Sequence, residues 1–202
     1  QPIGDQWQAR IDNPLSGPVQ IELRAAPGTQ VDGLPLQSLV QATGSLVVGH
    51  LPSPSSGKAL DLRLQSVPGN PAARAEDVAY RLPFEAVQLR VDQAPQGRFS
   101  HDDEENRDAI DFALPEATQV LAAREGTVMQ VQDGFHGNGL DRERDAGRAN
   151  FIRILHSDGS MAMYAHRQAG GMRVRPGQAV QAGQPIGLSG NSGYSTAQHL
   201  HF

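Results

Sequence analysis

The 202-residue chain reads as an all-β protein in two parts, a small antiparallel β-sandwich followed by a second, mainly β segment. Three observations predict this. Apolar residues recur at period two, 22 Gly and 14 Pro punctuate the chain at short intervals, and no stretch carries the longer periodicity of a packed helix. Aromatics make up only 5%, so the cores fall to Val, Leu, Ile and Ala.

In chain order, Gln6–Ile11 places Trp7, Ala9 and Ile11 on one face, and Val19–Leu23 does the same with Val19, Ile21 and Leu23. Asn13-Pro14 and Ser16-Gly17-Pro18 break the chain between them. Ser45–Val48, Leu60–Leu64 and Val78–Leu82 are further apolar stretches separated by turn formers, and together they read as a sandwich over residues 1–84. From about Pro83 the character changes: six of the seven histidines follow residue 100. Gly126–Gln132, Phe151–Leu155 and Met161–Tyr164 read as strands, the last two joined by Ser157-Asp158-Gly159, where Asp-Gly suits a tight turn. Residues 133–150 read as a polar, mobile surface loop. Val174–Gly190 reads as a strongly curved sheet with glycine bends.

Composition excludes several function classes. No run approaches the roughly 18–20 apolar residues that cross a bilayer. A net charge of −5 without a Lys/Arg block argues against a nucleic-acid partner. The absence of cysteine removes disulfides, thiolate catalysis and Cys-type metal sites. Lys58 is the only lysine, in a Ser/Pro/Gly-rich stretch, so lysine-carrier chemistry has no preorganised home despite the Val-x-x-Gly rhythm of 174–190. The chain opens at Gln1, which fits either a trimmed piece or a processed exported protein.

The chemistry concentrates in His199-Leu200-His201. Residues i and i+2 of a strand share a face, so both imidazoles point one way and Leu200 the other, an arrangement that suits a metal and its neighbour. On their own they could equally be two surface histidines. His101 opens the run Asp102–Glu105, which reads as a solvated loop. Asp111, flanked by Ile110 and Phe112, is costly to bury without a cation or donors, and either a metal or an arginine would meet that need. His166 ends the strand 161–166; a lone strand-end histidine is usually satisfied by backbone.

These pieces, in order, resemble the M23 zinc metallopeptidases, the lysostaphin-like cell-wall endopeptidases. The resemblance is carried by Phe99-Ser100-His101, Ala109-Ile110-Asp111-Phe112-Ala113, Ala122–Val128, Tyr164-Ala165-His166, Gly187–Tyr194 and His199-Leu200-His201-Phe202. It implies an open antiparallel β-sheet domain over 85–202. In that domain His101, Asp111 and His201 hold Zn²⁺, and His166 and His199 flank the reacting water. His199 is then the candidate general base, and His166 orients the water or stabilises the developing oxyanion; which of the two carries the proton stays open. The His101–Asp111 separation exceeds the compact His-x-x-x-Asp of many members, so Asp108 is a competitor, although it lacks the Asp-Phe-Ala context. The implied activity is hydrolysis of peptide bonds in peptidoglycan, outside the cytoplasm, with residues 133–150 rimming the cleft. The alternative is a catalytically weak regulator or peptidoglycan-binding protein, which predicts loss of one of the five site residues. The first part has no legible role; wall binding, partner docking and coverage of the catalytic groove are its candidates.

Overall fold

The computed structural model describes residues 2–3, 6–53, 60–85, 88–97, 100–103 and 106–202, so Lys58, Phe99, Glu104 and Glu105 lie outside the described residues. The chain divides into two compact units, Gln1–Arg74 and Ala75–Phe202.

The first unit holds β1 (Pro2–Ile3), β2 (Gln6–Asp12), β3 (Val19–Ala25), β4 (Leu36–Val40), β5 (Ser45–Pro52) and β6 (Leu62–Pro68). They pair antiparallel into two three-stranded sheets, ordered β1-β2-β5 and β4-β3-β6. Alternation fixes the faces: Val19, Ile21 and Leu23 of β3 are buried with Val40 and Leu51, while Gln20 and Glu22 stay half-exposed. The sheets approach closely where Gly49 of β5 meets Leu36 of β4. A Cβ at Gly49 would stand 2.5 Å from Leu36 Cδ1, so a larger residue there would require the Leu36 side chain to shift. The break at Asn13-Pro14 is a built turn. Buried Asn13 donates Nδ2 to the carbonyls of Gly17, Val40 and Gln41 at 2.9, 3.2 and 2.9 Å and accepts Leu15 N at 2.9 Å. Those bonds offset the cost of burying its amide.

Val78–Leu82 differs from expectation: it forms no strand and belongs to the second unit. It is tied there by Arg81 N donating to Ala123 O (2.9 Å) and Leu121 N donating to Pro83 O (2.7 Å). Tyr80 packs edge-on against His156, ring centroids 5.6 Å apart. With one backbone bond on each side and Pro83 next, the segment docks without entering a ladder.

The second unit holds β7 (Val91–Gln93), β8 (Asp111–Ala113), β9 (Gln119–Leu121), β10 (Gly126–Gln132), β11 (Asn138–Gly139), α1 (Arg142–Asp145), β12 (Phe151–Leu155), β13 (Met161–Tyr164), β14 (Arg167–Met172), β15 (Ala179–Val180), β16 (Pro185–Ser189), β17 (Gly193–Tyr194) and β18 (His199–His201). The sheets run β13-β12-β10-β15, β14-β16-β9 and β18-β8-β7, all antiparallel, with a parallel pair β11-β17. Ile152 and Ile154 of β12, Val128, Ile186, Phe112, Tyr164 and Leu200 bury one continuous core. Phe151, Arg153 and Met163 lie on the opposite face of the large sheet, where they line a cleft. The β12–β13 turn is the one expected: Gly159 has φ of +81°, and Asp158 Oδ1 accepts Ser160 N at 3.0 Å.

Residues 133–150 also differ from expectation. They carry β11, α1 and a 3₁₀ turn rather than a structureless loop. The polar side chains bond one another: Asp141 caps α1 through Arg144 N, Arg144 forks onto Asp145 at 2.8 and 2.7 Å, and Gln132 Nε2 reaches Gly147 O and Ala149 O, both at 3.1 Å. Polarity therefore does not prevent packing here: Arg144 pairs with Asp145 inside the segment, and Arg142 reaches out to Asp102 and Asp103.

Candidate metal centre

The site grows from the pairing of β18 with β8. Their register sets His201 opposite Asp111, Leu200 opposite Phe112 and His199 opposite Ala113. Leu200 and Phe112 enter the core, so His201, Asp111 and His199 face the other way, as the strand period requires. Ala165 N donates to His201 O at 2.9 Å, which brings the end of β13 alongside and delivers His166 to the same face.

His166 has φ of +57°, a left-handed backbone that costs a branched or bulky L-residue roughly 1–2 kcal/mol. The turn is held by Arg167 N donating to Asn150 O (3.0 Å) and by His166 Nδ1 donating to Ser192 O (2.7 Å). It swings the imidazole over His199, ring centroids 4.5 Å apart. His199 Nδ1 donates to Ala197 O at 2.8 Å, with Ser195 Oγ 3.3 Å away. Both rings therefore present Nε2 to the cleft as an acceptor.

His101 completes the group. Its Nδ1 donates to Ala94 O at 3.1 Å, and its Nε2, fully buried and without a hydrogen-bond partner, stands 3.2 Å from Asp111 Oδ1. The same oxygen is 2.9 Å from His201 Nδ1 and 3.7 Å from His199 Nε2, while Asp111 Oδ2 accepts Gln93 Nε2 at 3.3 Å. Among the described residues no ion pair joins Asp111 to an arginine. Asp108 is exposed and 3.5 Å from Arg107.

Burial pushes the Asp111 carboxyl up, but the hydrogen bond from His201 and the charges of His199, His201 and His101 outweigh it, and the carboxyl lies below the ordinary range. Burial, reinforced by the neighbouring His199, pushes His166 down to about 3, so His166 is neutral at physiological pH. Two donor sets can hold a metal, each with ligand atoms within 4.8 Å of one another: His101, Asp111 and His201, and His166, His199 and His201. The first contains a carboxylate and an orphaned buried nitrogen, and both features call for a cation.

All five predicted site residues thus meet in one place: Asp111, His166, His199 and His201 line a cleft of about 560 Å³, and His101 is buried beside Asp111 and His201. Sequence reading missed the residues that aim them. Gln93 holds Asp111 and Ser100 (Nε2 to Oγ 2.8 Å), and Ser192 and Asn150 both bond Arg167 O, at 2.9 and 3.2 Å, beside His166. The only signal for them was the polar, Gly-flanked run Gly190–Ser195.

Residues 105–202 match the family described as Peptidase family M23. The chain is 34% identical over 92 residues to the peptidoglycan DD-endopeptidase ShyA of Vibrio cholerae, covering 46% of this chain and 18% of that one. It is 35% identical over 98 residues to the glycyl-glycine endopeptidase ALE-1 of Staphylococcus capitis, covering 48% and 24%. The chain thus spans less than a quarter of the length of these curated relatives. Among solved structures, the catalytic domain of the prophage-encoded M23 protein EnpA from Enterococcus faecalis is 28% identical, covering 59% of this chain and 82% of that one, with a TM-score of 0.45. Residues 105–202 thus match the domain of Peptidase family M23, and Asp111, His166, His199 and His201 lie within the matched span.

Proposed function

We propose that the second unit is a zinc metalloendopeptidase that hydrolyses peptide bonds in peptidoglycan, acting outside the cytoplasm. The observation that carries this is the convergence of His101 Nε2, Asp111 Oδ1 and His201 Nδ1. Two ligands at 2.0–2.1 Å on a tetrahedral ion stand about 3.3 Å apart. Here the N–O separations are 3.2 and 2.9 Å, close to that spacing. Two imidazoles and one carboxylate are a borderline donor set that suits Zn²⁺ and leaves a coordination position open. When bound, the ion supplies Lewis acidity to the scissile carbonyl and to water.

The chain's own residues supply the rest. His199 Nε2, its ring locked by Ala197 O, takes a proton from the attacking water and returns it to the leaving amine as the C–N bond breaks. His166, neutral and with Nδ1 committed to Ser192 O, accepts a hydrogen bond from the water at Nε2. In that tautomer it has no N–H to offer an oxyanion. This favours the water-orienting role among the two expected of it. Similarity to a peptidoglycan DD-endopeptidase and to a glycyl-glycine endopeptidase supports a wall-peptide substrate. The test is digestion of purified sacculi by zinc-loaded protein, with mass spectrometry of released fragments. New amino termini within wall peptides are expected, and intact sacculi under conditions where the protein binds zinc would overturn the reading.

A further inference from the structure

One short segment aims two of the three metal-binding side chains. Ala94 O accepts His101 Nδ1 at 3.1 Å, and the preceding residue, Gln93, donates Nε2 to Asp111 Oδ2 at 3.3 Å and to Ser100 Oγ at 2.8 Å. A carboxylate only accepts, so the NH₂ end of the amide must face it. Ala94 O also accepts Gly97 N at 3.1 Å, which closes the turn. A Cβ at Gly97 would overlap Gln93 Cγ and require that side chain to shift.

The register of β7 on β8 explains why an amide stands there. Val91 pairs with Phe112, so an unbroken antiparallel ladder would set Asp92 opposite Asp111. The ladder instead slips by one residue and sets Gln93 opposite Asp111. Asp92 is left to Arg90, whose Nε stands 2.8 Å from its carboxylate. The slip thus puts a neutral donor where a second carboxylate would repel Asp111 and compete as a ligand. It also divides the two oxygens of Asp111. Oδ1 faces His101 Nε2 and His201 Nδ1 at 3.2 and 2.9 Å, while Oδ2 is held by Gln93.

We propose that Gln93 is a positioning residue that restricts Asp111 to binding the metal through Oδ1 alone, and so keeps the centre four-coordinate and selective for Zn²⁺. This rests on the zinc-peptidase reading of the site and deepens it. A carboxylate can bind a metal through one oxygen or through both. Each added oxygen ligand moves a donor set toward harder ions such as Mn²⁺. The bond to Oδ2 withholds the second oxygen.

The experiment titrates Zn²⁺ and Mn²⁺ into metal-free protein and records the visible spectrum of the Co²⁺-loaded form, whose bands report coordination geometry. Gln93→Met removes the donor. It is expected to weaken zinc binding by about 10–100-fold and to weaken the Co²⁺ bands, as Asp111 engages both oxygens. Gln93→Glu keeps the shape and adds a carboxylate, and it is expected to narrow the preference for Zn²⁺ over Mn²⁺ by about tenfold or more. Asp92→Asn is expected to leave the zinc affinity and the spectrum as in wild type, because the slip holds Asp92 away from Asp111. Urea unfolding checks that each variant is folded, and the near-isosteric Gln93→Glu carries the test should Gln93→Met not fold. A purely structural Gln93 would lower stability and leave zinc affinity and spectrum unmoved. That result, a smaller zinc loss or an unchanged spectrum in folded Gln93→Met, an unchanged metal preference in Gln93→Glu, or a matching zinc loss in Asp92→Asn would each overturn the inference while leaving the peptidase standing. Failure of the wild type to bind zinc would remove the zinc reading and this inference with it.

Discussion

His199 and His201 are two residues apart on one strand face and meet different surroundings. His201 Nδ1 faces the Asp111 carboxylate at 2.9 Å, whereas His199 Nδ1 is spent on a backbone carbonyl and its Nε2 reaches the cleft. The pair should therefore separate by mutation. His201→Ala is expected to weaken zinc binding more than about 100-fold, since loss of a group that merely orients a ligand already costs 10–100-fold. His199→Ala is expected to keep zinc and lose about 10²–10⁴-fold in kcat. Zinc titration beside peptide turnover checks both, and equal zinc loss in the two variants would mean the roles are wrongly divided. Arg167, next to His166, has a different character. Its side chain is fully buried, and Nε, Nη1 and Nη2 have no hydrogen-bond partner. Burial pushes its guanidinium down to about 9. The folded chain thus binds fewer protons than the unfolded chain between that value and the ordinary arginine range. Stability rises with pH across that window, and the whole penalty is present at pH 7. Arg167→Met keeps the backbone bonds to Asn150 and Ser192 and removes the buried cation. It should stabilise the unit by about 1–3 kcal/mol in urea unfolding at pH 7, and a destabilised variant would show that the charge has a partner in solution.

At the scale of elements, the β12–β13 hairpin shows how one carboxylate fastens a turn to its surroundings. Asp158 accepts Ser160 N and Oγ at 3.0 and 2.7 Å, Glu76 N at 2.9 Å and Arg124 Nη1 at 2.7 Å. The Ser160 hydroxyl, the Glu76 amide and the Arg124 guanidinium hold the carboxyl well below the ordinary range. A depressed carboxyl stabilises the fold above its unfolded pKa of about 3.9, and this is lost as pH falls below that. Asp158→Asn should therefore cost a constant amount of stability above roughly pH 5, and the two proteins should converge in acid. Urea unfolding across pH tests this, and a gap that widens in acid would refute the sign. This hairpin was legible because Asp-Gly is a local signal. The His-x-His face was legible because strand period alone sets it, and the burial of Asp111 because Ile110 and Phe112 flank it. Gln93, Ser192 and Ser195 were not legible: their partners lie across the fold, and short polar residues beside glycine look like ordinary turn formers. The structure of 133–150 was hidden for a related reason. Its charged side chains are paired, Arg144 with Asp145 and Arg142 with Asp102 and Asp103, and composition records only that they are charged.

At the scale of the molecule, the boundary between the units becomes a physical question. Composition changes near Pro83, yet Phe84 is buried in the second unit's core, edge-on to Phe112 at 5.3 Å, and Arg81 and Pro83 bond Ala123 and Leu121. A chain starting at 85 loses all of this. Removal of a buried Phe alone costs about 3–5 kcal/mol, a large part of the 5–15 kcal/mol that holds a typical domain together. A chain starting at 75 keeps the whole core cluster, which runs from Phe84 to Leu200. The fragment 75–202 is therefore expected to unfold cooperatively and to bind zinc as the full chain does, whereas 85–202 should be strongly destabilised. Calorimetry and zinc titration on the two fragments check this, and equal stability would show that 75–84 contributes nothing to the fold. Turnover of the full chain against 75–202 on soluble wall fragments then tests whether the first unit restrains the groove. A rise on its removal supports restraint and equal turnover excludes it, because 75–202 carries every residue of the metal centre and of the cleft floor.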